Sequence, residues 1–223
     1  ERLEDAAGEY RKFAEAHGEN PLVPNALIQA ADCQMKLGKV EDAIKTFGEV
    51  VERFPKSEAA PFAQQGIAFA LLNMQPSRVE ESLAAFSKLV ELFPDNPLAP
   101  RALIFQGSAL VQNDKADEAI AKYRTVLEKY ADSDVAGDAQ LALGRVLLGR
   151  LAQLGNYLSL TPEDKQKWDA QCAELQANFE GILAKYPESG SVPEAVNELV
   201  KLQQKKVDFE IQTWDQAGKY FSD

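Results

Sequence analysis

Histidine, cysteine and methionine are nearly absent from this chain, with one, two and two copies among 223 residues. The scarcity excludes most metal and redox chemistry. Cys33 and Cys172 stand far apart, and neither belongs to a CxxC or other ligand spacing, so both are expected to be buried free thiols. His17 lies at the predicted end of the first helix, where the helix dipole accounts for it. No HExxH, GxSxG, Walker A or dinucleotide glycine pattern occurs, so no catalytic residue, metal ligand or cofactor is assigned and the chain reads as non-enzymatic. The acid pairs Glu80-Glu81 and Glu163-Asp164 fall at turns and helix starts, where capping explains them. Asp95-Asn96 and Asp132-Ser133-Asp134 lack the loop length and glutamate of a calcium-binding hand. Positive charge is also short: 24 Lys and Arg against 35 Asp and Glu leave a net charge of −11, which disfavours nucleic acid as a partner. No apolar run approaches the roughly 20 residues of a membrane-spanning helix. Because the chain opens at Glu1 rather than methionine, an N-terminal anchoring segment is an expectation left open.

What is present is repetition. The segments 43–55, 82–94, 119–131 and 175–187 superpose without a gap, and 6–18 is a weaker fifth copy. Each carries an aromatic at its fifth position, namely Phe47, Phe86, Tyr123, Phe179 and Tyr10. The four stronger copies add apolar residues three and four positions later, which is one face of a helix. A second block precedes each copy, at 26–31, 63–68, 102–107, 139–144 and, less well, 195–200. In four of these blocks a small residue, Ala31, Ala68, Gly107 or Gly144, closes the block where two helices need close approach. Spacings of 37, 39 and 37 residues between those small residues suit one helical hairpin per repeat. Gly38 is placed to close a helix in a left-handed conformation. Pro76 is expected to stop a helix and Ser77 to cap the next.

These residues resemble the tetratricopeptide repeat family, whose pattern is a small residue late in helix A, then alanine, an aromatic and proline along helix B. The alanine position is Ala43 and Ala119, replaced by Ser82 and Leu175, and the terminal proline is Pro55, Pro94 and Pro187, replaced by Ala131. The helix A tryptophan is missing, with Leu27, Gln64, Leu103 and Gln140 in its place. The linkers FPKSEAAP, FPDNPLAP and YPESGSVP lengthen the unit. They are similar in style to those of bacterial envelope members, of the outer-membrane assembly lipoprotein and Tol-Pal coordinator types.

The resemblance implies an all-α, right-handed superhelical solenoid of antiparallel hairpins. The expected layout is a single solenoid over 1–223: a partial repeat 1–20, repeats at about 21–57, 58–96, 97–133 and 134–189, and a C-terminal helical cap over 190–223. Residues 3–17 resemble a helix B without its helix A. The fourth hairpin carries a 19-residue insertion, because 31 residues separate Gly144 from Leu175 where 12 separate Ala31 from Ala43. Helix is expected to continue through VLLGRLAQLGNYLSL, and a new one to start at Thr161-Pro162. Split over both helices, the insertion would project by roughly 14 Å, with Tyr157, Leu158 and Leu160 at its tip and Trp168 nearby, where they either pack on the C-terminal segment or stay exposed for a partner. At the cap, Val196, Val200, Val207, Ile211, Trp214 and Phe221 follow approximate helical steps.

By the same resemblance the chain is a non-catalytic scaffold for proteins or peptides, in a bacterial envelope complex. The alternative is a helical-superhelix portion of a larger enzyme or glycan-capture protein. The family's concave surface is built from helix A positions that do not pack on their own helix B. Carried to this sequence, those positions give Ile28, Asp32, Met35, Phe62, Phe69, Arg101, Ile104, Ser108, Leu141 and Arg145 as candidate binding residues. Ile28, Phe69, Ile104 and Leu141 would form an apolar strip, with Arg101 and Arg145 to meet a carboxylate. The lysine and asparagine set by which cochaperone members clamp a terminal carboxylate is absent.

Overall fold

A computed structural model describes residues 2–155 and 157–220; the side chains of Leu158 and of residues 213–220 are outside the described set. Trp214 (as a side chain), Phe221 and Leu158, expected above on the cap and at the hairpin tip, therefore lie outside the described residues. The described residues form ten α-helices and one 3-10 turn, with no strand. This is the all-helical architecture that the 3.6-residue periodicity predicts.

The chain groups into two compact units, Glu1–Ala109 and Leu110–Asp223. The first holds α1 (Arg2–His17), α2 (Val23–Lys36), α3 (Val40–Arg53), α4 (Ala59–Asn73), α5 (Val79–Leu92) and most of α6 (Leu98–Gln112). The second holds the end of α6, then α7 (Ala116–Lys129), α8 (Ala136–Gln153), α9 (Pro162–Lys185) and α10 (Val192–Tyr220). Within the first unit each of α1 to α5 packs on its neighbours in the chain, and α2 also touches α4. That is the stacking of hairpins in which one helix of each repeat lies beside its counterpart in the next.

Local chemistry sets the two kinds of turn. Between α2 and α3, Gly38 has φ +74°, Lys39 N–H bonds the Gln34 carbonyl at 2.9 Å and Gly38 N–H bonds that of Met35 at 3.0 Å. This is the paired closure expected of a C-terminal glycine. Asp114 performs the same role between α6 and α7 with φ 59°, since a short polar side chain tolerates the left-handed region. Between repeats, each second helix ends on an aromatic residue at its C-cap, Phe54, Phe93, Tyr130 or Tyr186. Two successive i to i+3 turns follow, through Ser57, Asn96, Ser133 and Ser189. The extra linker residues are thus one recurring double turn. Ser77 does not cap α5: Arg78 is its N-cap without a side-chain bond, and instead pairs with Glu81.

The core follows the repeat register. Phe47, Phe86, Tyr123 and Phe179 are buried, as are Ala31, Ala68, Gly107 and Gly144. Two of the positions where the family resemblance leads one to look for tryptophan hold glutamines that bridge helices. Gln64 Nε2 donates to the Ala85 carbonyl at 2.9 Å, and Gln140 Nε2 to that of Asn178 at 2.6 Å. Asn178 Nδ2 returns a bond to the Gln140 carbonyl at 3.0 Å. A buried amide is tolerable because it is bonded in this way.

The insertion differs from its expected form. Helix α8 stops at Gln153 and Gly155 takes φ +85°, so the first helix has 18 residues against 14 or 15 in α2, α4 and α6. Most of the extra length goes to α9, with 24 residues. Thr161 caps it as expected, accepting from Asp164 N–H at 3.2 Å. Of the two expected placements, Tyr157 and Trp168 take the one packed on the C-terminal segment. Their rings meet at 4.8 Å, and both pack on Phe209 of α10, at 5.3 and 5.2 Å, with Trp168 buried. The C-terminal helix also differs. It turns Ala195 and Leu202 inward, against α9, while Val196, Val200, Val207 and Ile211 are exposed.

Candidate functional site

Helical spacing brings five of the ten candidate residues to one place in the first unit. Ile28, Asp32 and Met35 recur along α2 at intervals of four and three, and Phe62 and Phe69 are two turns apart on α4. Together with Phe47, Gln65 and Gly66 they line a groove of about 380 Å³. Phe47 and Gly66 form its floor. A Cβ on Gly66 would sit 2.7 Å from the Phe47 ring, so glycine is required where α4 crosses the aromatic of the preceding repeat. Sequence reasoning read Phe47 only as a repeat aromatic and passed over Gly66. The signal was a glycine in the middle of a helix, costly by about 1 kcal/mol unless it permits an approach.

The walls are apolar apart from Asp32 and Gln65. Partial burial raises the pKa of its carboxyl above the ordinary value, and Lys36 opposes the shift. A carboxylate that has lost solvation in this way gains from a cation brought to it. Phe62 is 54% exposed and offers its ring to solvent. Phe69 has a double role. It lines the groove, and its ring also meets Phe86 at 5.4 Å and Phe105 at 4.8 Å, edge to face. Beyond Phe62 lies a larger hollow of about 780 Å³ walled by the first two linkers, including Pro21, Pro24, Phe54 and Pro55. Loop residues carry no helical period, so nothing in the repeat register pointed to it.

The other candidates are placed differently. Arg101, Ile104 and Ser108 are half-buried along α6 and do not line the groove. In the second unit, Leu141 is buried at 7% exposure and presents almost no surface, so it does not extend an apolar strip. Arg145 is exposed but engaged, with Nε and Nη2 donating to the two carboxylate oxygens of Glu194 at 2.8 and 2.6 Å. A fork held this way has to give up its carboxylate before binding another.

Groups with chemical potential elsewhere are accounted for. His17 is the exposed last residue of α1, its ring 4.6 Å from that of Phe13. Both cysteines are buried and free. Burial pushes the Cys172 thiol up to about 11, which leaves about a thousandth of it as thiolate at pH 8. A thiol reagent at that pH should therefore label Cys172 only as the protein unfolds, at a rate set by denaturant. Prompt labelling of the native protein at Cys172 would show that the α9 core is open. No described group of three His, Cys, Asp or Glu residues is arranged to hold a metal, and no described helix is long and apolar enough to cross a membrane.

Comparison with known proteins agrees with the repeat register. Residues 67–134 and 106–154 match one family model described as tetratricopeptide repeat, and residues 25–57 match a second with the same description. The two together span more than half of the chain. Among solved structures the chain is similar to the crystal structure of MamA protein, at 18% identity over 83% of this chain and 86% of that one, with a TM-score of 0.51. It is also similar to BtubC (BKLC) from P. vanneervenii, at 13% identity over 94% and 90%, with a TM-score of 0.51. A further likeness is to a thermophilic TPR protein in Thermus thermophilus, at 16% identity over 91% of each chain with a TM-score of 0.48. No curated protein matches by sequence. At such identities the likeness is one of fold.

Proposed function

This chain is a tetratricopeptide repeat protein, a fold typical of protein-interaction scaffolds, and from that premise we propose that its α2–α4 groove takes up a peptide segment carrying an apolar side chain close to a lysine or arginine. The observation that carries this reading is the meeting of Ile28, Met35, Phe62 and Phe69 around one groove beside the desolvated carboxyl of Asp32. Apolar walls supply affinity and one polar group supplies orientation. The scaffold works without turnover chemistry, a reading supported by the exposed helix-end position of His17 and the burial of both thiols. Its setting is a bacterial envelope complex, supported by the linker style of FPKSEAAP, FPDNPLAP and YPESGSVP.

Selection of peptides from a random display library on the immobilised protein tests the groove. Enriched sequences should share an aromatic or aliphatic residue within a few positions of a basic one. Phe62→Ala should weaken their binding by about 1–2 kcal/mol, or roughly 5- to 30-fold, because exposed aromatic anchors dominate such interfaces. Its melting temperature should stay nearly unchanged, since more than half of Phe62 is already in water. Enriched peptides that bind the Phe62→Ala protein as tightly as the parent would remove the groove as the site.

A further inference from the structure

The first unit contains two successive interfaces of the same kind, α2 against α4 and α4 against α6, and the repeat register pairs their residues. Moving on by one repeat takes Phe47 to Phe86, Asp32 to Phe69, Met35 to Leu72 and Gly66 to Phe105. Both Phe47 and Phe86 are buried aromatics of a second helix. The position of Gly66 sets the interfaces apart. Gly66 has no side chain and none fits there, since a Cβ would stand 2.7 Å from the Phe47 ring.

Phe105, its counterpart, carries a ring that stacks on Phe86 with centroids 5.8 Å and planes 22° apart. The same ring meets Phe69 edge to face at 4.8 Å. It is 37% exposed, so it lies at the surface of its interface rather than beneath it. The α4–α6 interface therefore covers its buried aromatic with a ring of its own. The α2–α4 interface has no such ring, and a groove of about 380 Å³ lies over Phe47 and Gly66 instead.

We propose that this groove selects an aromatic side chain of the bound peptide, laid on Phe47 as Phe105 is laid on Phe86. The inference rests on the groove being a peptide site and narrows the peptide's apolar residue to Phe, Tyr or Trp. Phe105 is the argument for that occupant: the fold itself fills the equivalent place with a ring. The groove's own chemistry agrees. Phe47 offers an aromatic partner, and aromatic pairs gain beyond their buried area. Asp32 occupies the register position of Phe69, beside the place where Phe105 has its ring. An aromatic edge carries partial positive charge, so a carboxylate there favours a ring over an aliphatic branch and still accepts the neighbouring lysine or arginine. Met35 lines the same groove, and thioether sulfur packs well at ring edges.

Two peptide display libraries of equal length, both rich in lysine and arginine, test the selection. One carries Phe, Tyr and Trp as its only large apolar residues, the other Leu, Ile, Met and Val. The aromatic library should give the tighter binders, and these should lose affinity on the Phe62→Ala protein. In the best of them, replacing the ring by cyclohexylalanine keeps size and apolarity but removes the π-system. That change should weaken binding roughly 2- to 12-fold, the range that an aromatic pair adds. The aromatic peptide alone should also shift the methyl resonances of Ile28 and Met35 by its ring current. Equal binding by the cyclohexylalanine peptide, or aliphatic peptides that bind as tightly and depend equally on Phe62, would overturn the aromatic selection and leave the groove as a peptide site. If neither library yields a binder that depends on Phe62, the groove itself is lost as the site and this inference goes with it.

Discussion

Replacing Phe86 by alanine is expected to cost about 3–5 kcal/mol of folding stability, the largest loss from any single truncation in the first unit. Its ring is fully buried and meets Phe69 edge to face at 5.4 Å and Phe105 stacked at 5.8 Å, so truncation forfeits both aromatic contacts and leaves a cavity between α4, α5 and α6. Neighbouring helices held by the Gln64, Ser82 and Gln106 bonds to opposite carbonyls resist collapse into it. Urea unfolding should show the midpoint falling with little change in slope. Tyr10→Ala, the equivalent change in α1, should cost only about 1 kcal/mol in the isolated chain, because its side chain is substantially in water. Equal losses at the two positions would mean that burial does not follow the repeat register.

The contrast between Phe86 and Tyr10 also shows what was legible in the sequence. Five segments share one helical pattern, and the pattern alone identified the aromatic and small-residue positions that become the core of the four complete hairpins. It carried no information on whether a partner helix covers a given copy, which is a tertiary fact. The same limit explains α10. Ala195 and Leu202 form one apolar stripe and Val196, Val200, Val207 and Ile211 another, and periodicity does not say which faces α9. Only the Val-Pro register shared with α2 separates them. The insertion was misread for a local reason. Gly155 breaks α8 in a left-handed conformation, whereas the leucines around it suggested continued helix.

The candidate groove was legible for the same reason and to the same extent. Helix A spacing brings Ile28, Asp32, Met35, Phe62 and Phe69 to one groove, because two adjacent first helices share a face whenever hairpins stack. Leu141 dropped out since its side of α8 is covered, and Arg145 is tied to Glu194, 49 residues away, a pairing that no local pattern records. Gln64 and Gln140 were read as departures from the family pattern. In the fold they are hydrogen-bonded bridges between helices, so a missing tryptophan is replaced by two directional bonds rather than by empty space.

Two glycines five residues apart on α8 should respond to alanine with opposite signs. In an open helical position, glycine to alanine stabilises by about 1 kcal/mol, through lower unfolded-state entropy and better helix propensity. Gly149 is such a position, because a Cβ built there meets nothing within 4 Å. At Gly144 the same methyl would stand 2.5 Å from Phe179 Cε1 and 2.7 Å from both Phe179 Cζ and Asn178 Nδ2. The Phe179 ring is fully buried, so it has no free space to enter. Asn178 is fixed by its bond to the Gln140 carbonyl, and moving it breaks a buried pair of bonds. Overpacking of this kind costs about 1–3 kcal/mol, enough to reverse the propensity gain. Gly144→Ala should therefore lower the urea midpoint while Gly149→Ala raises it. Gly144→Leu should lower it further, because the added branches have nowhere to go. Truncating Phe179 in the Gly144→Ala background should cost less than truncating it in the parent, since the methyl then occupies part of the space the ring vacates. A Gly144→Ala protein as stable as Gly149→Ala would show that α8 and α9 do not approach at this residue.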